Sequence, residues 1–114
     1  MKNDNSAIME ELKLVLKRLG RLREKFRLSK ESALEDFDIK SLENLRERSK
    51  SIYQVEAIGY MRDIKGLKLR ISSDQSGMEE ADDLAELCRK EAASLLMHLV
   101  SAPNRLIRVF RAEE

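Results

Sequence analysis

Residues 8–26 read IMEELKLVLKRLGRLREKF, and within them Ile8, Leu12, Val15, Leu19, Leu22 and Phe26 follow one another at spacings of 4, 3, 4, 3 and 4. Steps that average about 3.5 residues hold apolar side chains on one side of an α-helix and form a heptad seam. Asn5 or Ser6 can accept from the orphan amides at the start, and Glu10 and Glu11 stand in the early turns, where the helix dipole favours acid. Gly20 costs about 1 kcal/mol relative to Ala inside a helix, which six seam residues outweigh. The first helix is therefore expected over residues 6–27.

Working outward, residues 29–38 are polar and hold a capping-box pair, Ser32 and Glu35, and a second N-cap candidate, Asp38. From Ile39 the residues Leu42, Leu45, Ile52 and Val55 keep helical spacing, after which Ile58, Met61, Ile64 and Leu67 recur every third residue. A three-residue step walks around a helix of 3.6 residues per turn instead of keeping to one face. Two readings are open: one long helix over residues 38–70, or a hairpin at about residues 58–71, where Leu67-Lys68-Leu69-Arg70-Ile71 alternates as a half-buried strand does. The helix is preferred, because a lone two-stranded hairpin is marginal and no other good strand is present to extend it.

Ser72-Ser73-Asp74-Gln75-Ser76-Gly77 reads as a loop. Ser76 and Glu79 have capping-box spacing, and Ala81, Leu84, Cys88, Ala92, Leu95 and Leu99 continue a helical seam to about Val100. Ser101 and Pro103 suit the first turn of a short helix reaching Ala112, with a Pro-kinked continuation as the alternative. The expected fold is all-α: an antiparallel bundle of three long helices plus a short C-terminal helix, in a single domain over residues 1–114. The alternative is an α+β fold with the small hairpin.

Composition agrees with this. Charged residues make up 38% of the chain, against roughly 25% in average proteins, while Gly and Pro together number five. One Cys and one His leave no disulfide and no soft ligand set for structural zinc, so no metal and no cofactor are expected. Charges at Lys2, Asp4, Glu10, Glu11 and Lys13 break any leader-like apolar run, and the apolar residues 92–100 fall short of the roughly 20 needed to span a bilayer. A cytoplasmic protein beginning at Met1, with no transmembrane segment, is the expectation.

The 22 basic residues nearly balance the 21 acidic ones, yet they are sorted along the chain. Residues 12–30 carry a net +7, residues 72–94 a net −5 and residues 95–112 a net +3. In an up-down-up arrangement Arg18, Arg21, Arg23, Lys25 and Arg27 would share one basic pole with Arg105, Arg108 and Arg111. The acidic start of the third helix would form the other pole, with Glu10 and Glu11. Such a pole can grip an acidic protein segment or nucleic-acid phosphates. Against specific nucleic-acid readout stand the lack of a known motif and aromatics that do not interleave with the basic residues.

No catalytic set emerges. His98 has no neighbouring nucleophile or orienting carboxylate, and Cys88 sits on the seam as a small hydrophobe. Glu79, Asp82, Asp83 and Glu86 share a helix face but face no second acidic set, so a solvated first turn accounts for them. Apolar residues exceed what one stripe per helix can cover, with Leu14, Leu16, Tyr60, Met61 and Ile64 as the expected interface. The chain is thus expected not to be an enzyme but a protein-binding module: an adaptor, secretion chaperone or regulatory subunit. A homodimer with two-fold symmetry, or a groove for another protein's helix, would bury the surplus. The alternative is a nucleic-acid-binding regulator that uses the basic pole.

Overall fold

The structure is a computed structural model that describes residues 5–113. It is all-α, with no strand among the described residues. In order come α1 (Ser6–Asp36), α2 (Ile39–Arg48), a π-helical turn (Ser49–Tyr53), α3 (Gln54–Arg70) and α4 (Met78–Ala112). From α2 to α3 the helix is unbroken, so residues 39–70 form one composite rod. Three rods packed along one another give an elongated body of 64 × 18 × 18 Å.

The whole heptad seam, Ile8 to Phe26, is buried in α1. The helix does not stop near Arg27 as expected but runs nine residues further. Tertiary contacts hold that polar stretch: the Ser29 hydroxyl meets the Tyr53 hydroxyl at 2.7 Å, and Ala33 is buried. Ser32 and Glu35 consequently lie inside the helix and cap nothing. The stop comes at Phe37, whose φ of 39° is left-handed and whose N–H donates to the Ala33 carbonyl at 2.9 Å. A β-carbon makes that conformation costly by about 1 kcal/mol, and edge-to-face packing of the Phe37 ring on Phe110, 5.5 Å between centroids, helps offset it. One residue on, the Asp38 carboxylate accepts from the Ser41 amide at 2.7 Å and caps α2, a bond that holds its carboxyl below the usual carboxylate range.

Residues 58–71 are not a hairpin, since α3 is helical to Arg70. The three-residue steps do walk around it: Ile58 is exposed, Met61 half-buried, Ile64 and Leu67 buried. Before it, Leu45, Ser49, Tyr53 and Ala57 all face inward in steps of four. Four residues exceed one α-turn, and the wider π-turn absorbs the excess so that all four stay inside.

Between the second and third rods, Asn5 acts as a clasp instead of a helix cap. Its Nδ2 donates to the Ser72 and Ser76 carbonyls at 3.1 and 3.2 Å, and its Oδ1 accepts from the Ser72 amide at 3.0 Å. Ser76 and Glu79 do not form the expected capping box; Gly77, with φ 79°, occupies the N-cap position of α4 without a side-chain cap. Small buried residues, Ala81, Ala85, Cys88 and Ala92, line the first half of α4 and let the rods approach closely.

The short C-terminal helix does not exist as a separate element, because α4 passes through Pro103 without a break. Proline has no N–H for the carbonyl four residues back, that of Leu99. The buried Ser49 hydroxyl donates to that carbonyl instead, at 2.6 Å. The π-turn of one rod therefore satisfies the gap that proline leaves in another.

Candidate functional site

The rod contacts decide which charges become neighbours. Asn5 reaches residues 72 and 76, and the Cys88 thiol reaches the Leu12 carbonyl, so the start of α1 lies beside the start of α4 and the end of α3. This end also holds Lys65, Lys68 and Arg70 of α3 and Lys13, Lys17 and Arg18 of α1, along with the acidic first turns of α4. Lys68 acts on Glu86, and Arg70 pairs with Glu11 at 3.4 Å. At the other end Arg105, Arg108 and Arg111 lie with Glu31, Glu35, Asp36, Glu43 and Glu47, and Arg111 pairs with Glu43 at 3.6 Å. Each end carries both signs. The composite rod and the last turns of α1 bring opposite charge to each end and dilute the two-pole arrangement read from the segments, without removing the basic excess where Arg21, Arg23, Lys25, Arg27 and Lys30 of α1 lie at the same end as Arg105, Arg108 and Arg111.

Within the expected basic set the residues part company. Arg27 is held by Glu24 and Glu31 on its own helix, with Nε to Glu24 Oε2 at 2.9 Å, and that bond lowers the Glu24 carboxyl below its usual value. Arg23 lies 3.7 Å from Glu91. Arg18, Arg21, Lys25, Arg105 and Arg108 have no ion-pair partner among the described residues.

Three of those unpaired cations border the groove between α1 and the composite rod. It deepens into two recesses. One is lined by Leu28, Ser32 and Asp36 against Asn44, Arg48 and Ile52; the other by Leu14 and Arg18 against Arg62, Asp63 and Gly66. Helical spacing sets Leu14, Arg18, Arg21, Lys25, Leu28 and Ser32 in one line on α1, so Arg21 and Lys25 lie between the recesses. Across the groove Ile52, Val55, Gly59, Arg62 and Gly66 make the opposite line. The exposed apolar members are Leu14 (44%), Leu28 (54%), Ile52 (48%) and Val55 (60%). Gly59 and Gly66 face open space, with nothing within 4 Å of where a β-carbon would stand.

The expected apolar interface is only partly at the surface. Leu14 lies in the groove, but Ile64 is 3% exposed and belongs to the core. Leu16, Tyr60 and Met61 are half-buried against that core. Tyr60 donates to Glu56 at 2.7 Å, and burial first, then the Glu56 carboxylate, push its phenol up to about 12. Ile64 fell inside because its three-residue series rotates into the core. Val55 and Ile52, which the helical spacing had grouped with Leu42 and Leu45, are turned outward beyond Ser49 by the π-turn. Leu28, an apolar residue of α1 outside the seam, lies at the surface.

A second cluster lies on the other flank of α1. His98 packs edge-on against Phe26 at 5.3 Å between centroids, and Lys30 Nζ sits 5.9 Å from the same ring. Partial burial, then the charges of Lys30, Arg23 and Arg105, lower the imidazole below its ordinary value of 6.5. Cys88 is buried, and burial raises its thiol. Glu79, Asp82, Asp83 and Glu86 do not converge; Glu86 accepts from Arg89 Nε at 3.0 Å. Among the described residues no group of three or more His, Cys, Asp or Glu could hold a metal ion, and no helix is long and apolar enough to cross a membrane.

Comparison with protein-family models, with curated proteins and with solved structures finds no match to this chain.

Proposed function

We propose that this chain is a protein-interaction module, an antiparallel helical bundle whose groove between α1 and the composite rod receives an acidic amphipathic helix of a partner. The observation behind the proposal is the alternation of exposed Leu14, Leu28, Ile52 and Val55 with the unpaired Arg18, Arg21 and Lys25. Apolar anchors supply affinity and flanking charges select the partner's sign. The α1 line from residue 14 to residue 32 spans about 27 Å at 1.5 Å per residue, room for five turns of a ligand helix. A role as adaptor, secretion chaperone or regulatory subunit follows from such a groove, and binding instead of catalysis is the activity assigned.

The test is capture of native partners, identified by mass spectrometry, by the parent chain and by Leu28→Glu and Arg21→Glu/Lys25→Glu variants. A partner retained by the parent and lost by both variants supports the groove; equal capture by all three overturns it. A second copy of the chain is the competing occupant. Sedimentation equilibrium that gives a dimer abolished by Leu28→Glu would assign the groove to self-association. The nucleic-acid reading draws on the line Arg18, Arg21 and Lys25, whose spacing along α1 could follow a phosphate backbone. Absence of binding to duplex or single strands at low salt, or binding indifferent to salt, rejects it.

A further inference from the structure

The two sides of α4 differ in chemistry. Ala85, Cys88, Ala92, Leu95 and Leu99 are buried against the other two rods. Half a turn away, Glu86, Lys90, Ala93, Met97, Val100 and Asn104 follow one another in steps of 4, 3, 4, 3 and 4. That is the spacing of a second heptad seam, on the side of α4 turned away from the core. At its middle Met97 is 72% exposed and Val100 46%. A methionine so exposed in mid-helix, with a valine one turn on, is an apolar centre that the chain itself does not cover.

The line is also polarised. Residues 79–86 hold five acids and no base, and residues 105–111 hold three Arg and no acid. On the outer face Glu86 and Arg108 each stand eleven residues from Met97, and Asp83 and Arg111 each stand fourteen. A copy of α4 laid antiparallel across Met97 therefore sets acid against base at both ends, whereas a parallel copy would set acid against acid and Arg against Arg. Asp83 and Arg108 have no ion-pair partner among the described residues. Glu86 and Arg111 are paired, with Arg89 and Glu43, but through partly exposed side chains whose contacts solvent already screens. A face complementary to itself after a half-turn is what a two-fold axis requires. We propose that two copies of this chain associate antiparallel through the outer face of α4, with the axis at Met97, an apolar centre and charged ends. The contact from residue 83 to residue 111 is about 42 Å long at 1.5 Å per residue. α4 packs on both other rods, so the groove between α1 and the composite rod opens on the opposite side. The dimer leaves that groove free and presents two of them.

Sedimentation equilibrium of the full chain from about 10 µM to about 1 mM tests this, with circular dichroism to check that each variant is folded. The parent should show a monomer-dimer equilibrium. Met97→Glu should weaken the dimer about a hundredfold, whereas Leu28→Glu, in the groove, should leave it unchanged. Asp83→Lys/Glu86→Lys and Arg108→Glu/Arg111→Glu should each weaken it about tenfold or more, because either variant alone opposes like charges at both ends. An equimolar mixture of those two variants should associate within about threefold of the parent, since each end then joins opposite charges again. The proposal is overturned by a parent that stays monomeric over this range, or by a dimer that survives Met97→Glu or is lost in Leu28→Glu. Charge variants that associate as the parent does, or that fail to recover on mixing, overturn it as well. So does a monomeric parent that captures a foreign protein through Met97, which would assign the face to another partner. Partner capture by the groove should be kept in Met97→Glu, so the two interfaces succeed or fail separately.

Discussion

Replacing Ser49 by Ala removes the one hydroxyl that reaches the carbonyl stranded by Pro103. The Leu99 oxygen lies inside the core, where the Ser49 Oγ is 2.6 Å away and the Gln54 Nε2, at 3.5 Å, is at the limit of a useful hydrogen bond. A buried acceptor left without a donor costs about 1–3 kcal/mol, and the weak Gln54 contact recovers only part of it. With a Tm change of about 4 °C per kcal/mol for a domain of this size, S49A should melt roughly 4–12 °C lower. The decisive comparison uses Pro103→Ala, which returns an amide to the position four residues beyond Leu99. In that background the oxygen has its own helical partner, and S49A should cost no more than about 0.5 kcal/mol. The double-mutant cycle, read from urea unfolding followed at 222 nm, should give a coupling of at least about 1 kcal/mol between residues on different rods. Equal costs of S49A in the two backgrounds would refute the account, whatever Pro103→Ala does on its own to the packing around a buried ring.

Four further outcomes follow from other contacts. Asn5→Ala should lower stability by about 1–3 kcal/mol by releasing the loop carbonyls it clasps, and Asn5→Asp should be no better, since a carboxylate would face the carbonyls of Ser72 and Ser76; the urea midpoint measures both. His98 is held below 6.5 in the fold, so the unfolded chain binds more protons in the window beneath that value. Stability should therefore fall as pH drops below about 6.5, and the slope should shrink in His98→Gln thermal melts. Ile64→Ala should cost about 2–5 kcal/mol as a core truncation. Leu14→Glu, at a site 44% exposed, should shift unfolding by no more than about 0.5 kcal/mol while abolishing partner capture by the groove.

The parts of the chain that were legible in advance share one property: their apolar spacing is regular. Ile8 to Phe26 lies inside as the seam implied, and so do Cys88, Ala92, Leu95 and Leu99 of α4. Where spacing is irregular, the reading went astray. The steps of four from Leu45 to Ala57 signal a π-turn, a wider turn than the α-helical template supposes, and missing it placed Val55 on the wrong side of the helix. The capping pairs at Ser32 and Ser76 had the right letters, but neighbouring rods supplied stronger contacts, Tyr53 on Ser29 and Asn5 on the loop.

Local sequence determined that this chain is helical, where α2 starts at its Asp38 cap, and which stripe of α1 faces inward. These follow from periodicity and side-chain chemistry within a few residues of one another. Only the tertiary structure decided that α4 continues through Pro103, that Ile64 is core while Leu28 is surface, and that neighbouring rods bring opposite charge to each charge block. It also decided that His98 and Lys30 meet on the Phe26 ring. The physical reason is the same in each case. Burial, the supply of a missing hydrogen-bond donor and the summation of charge depend on residues about 50 or more positions apart in the chain, and these meet only when the rods pack.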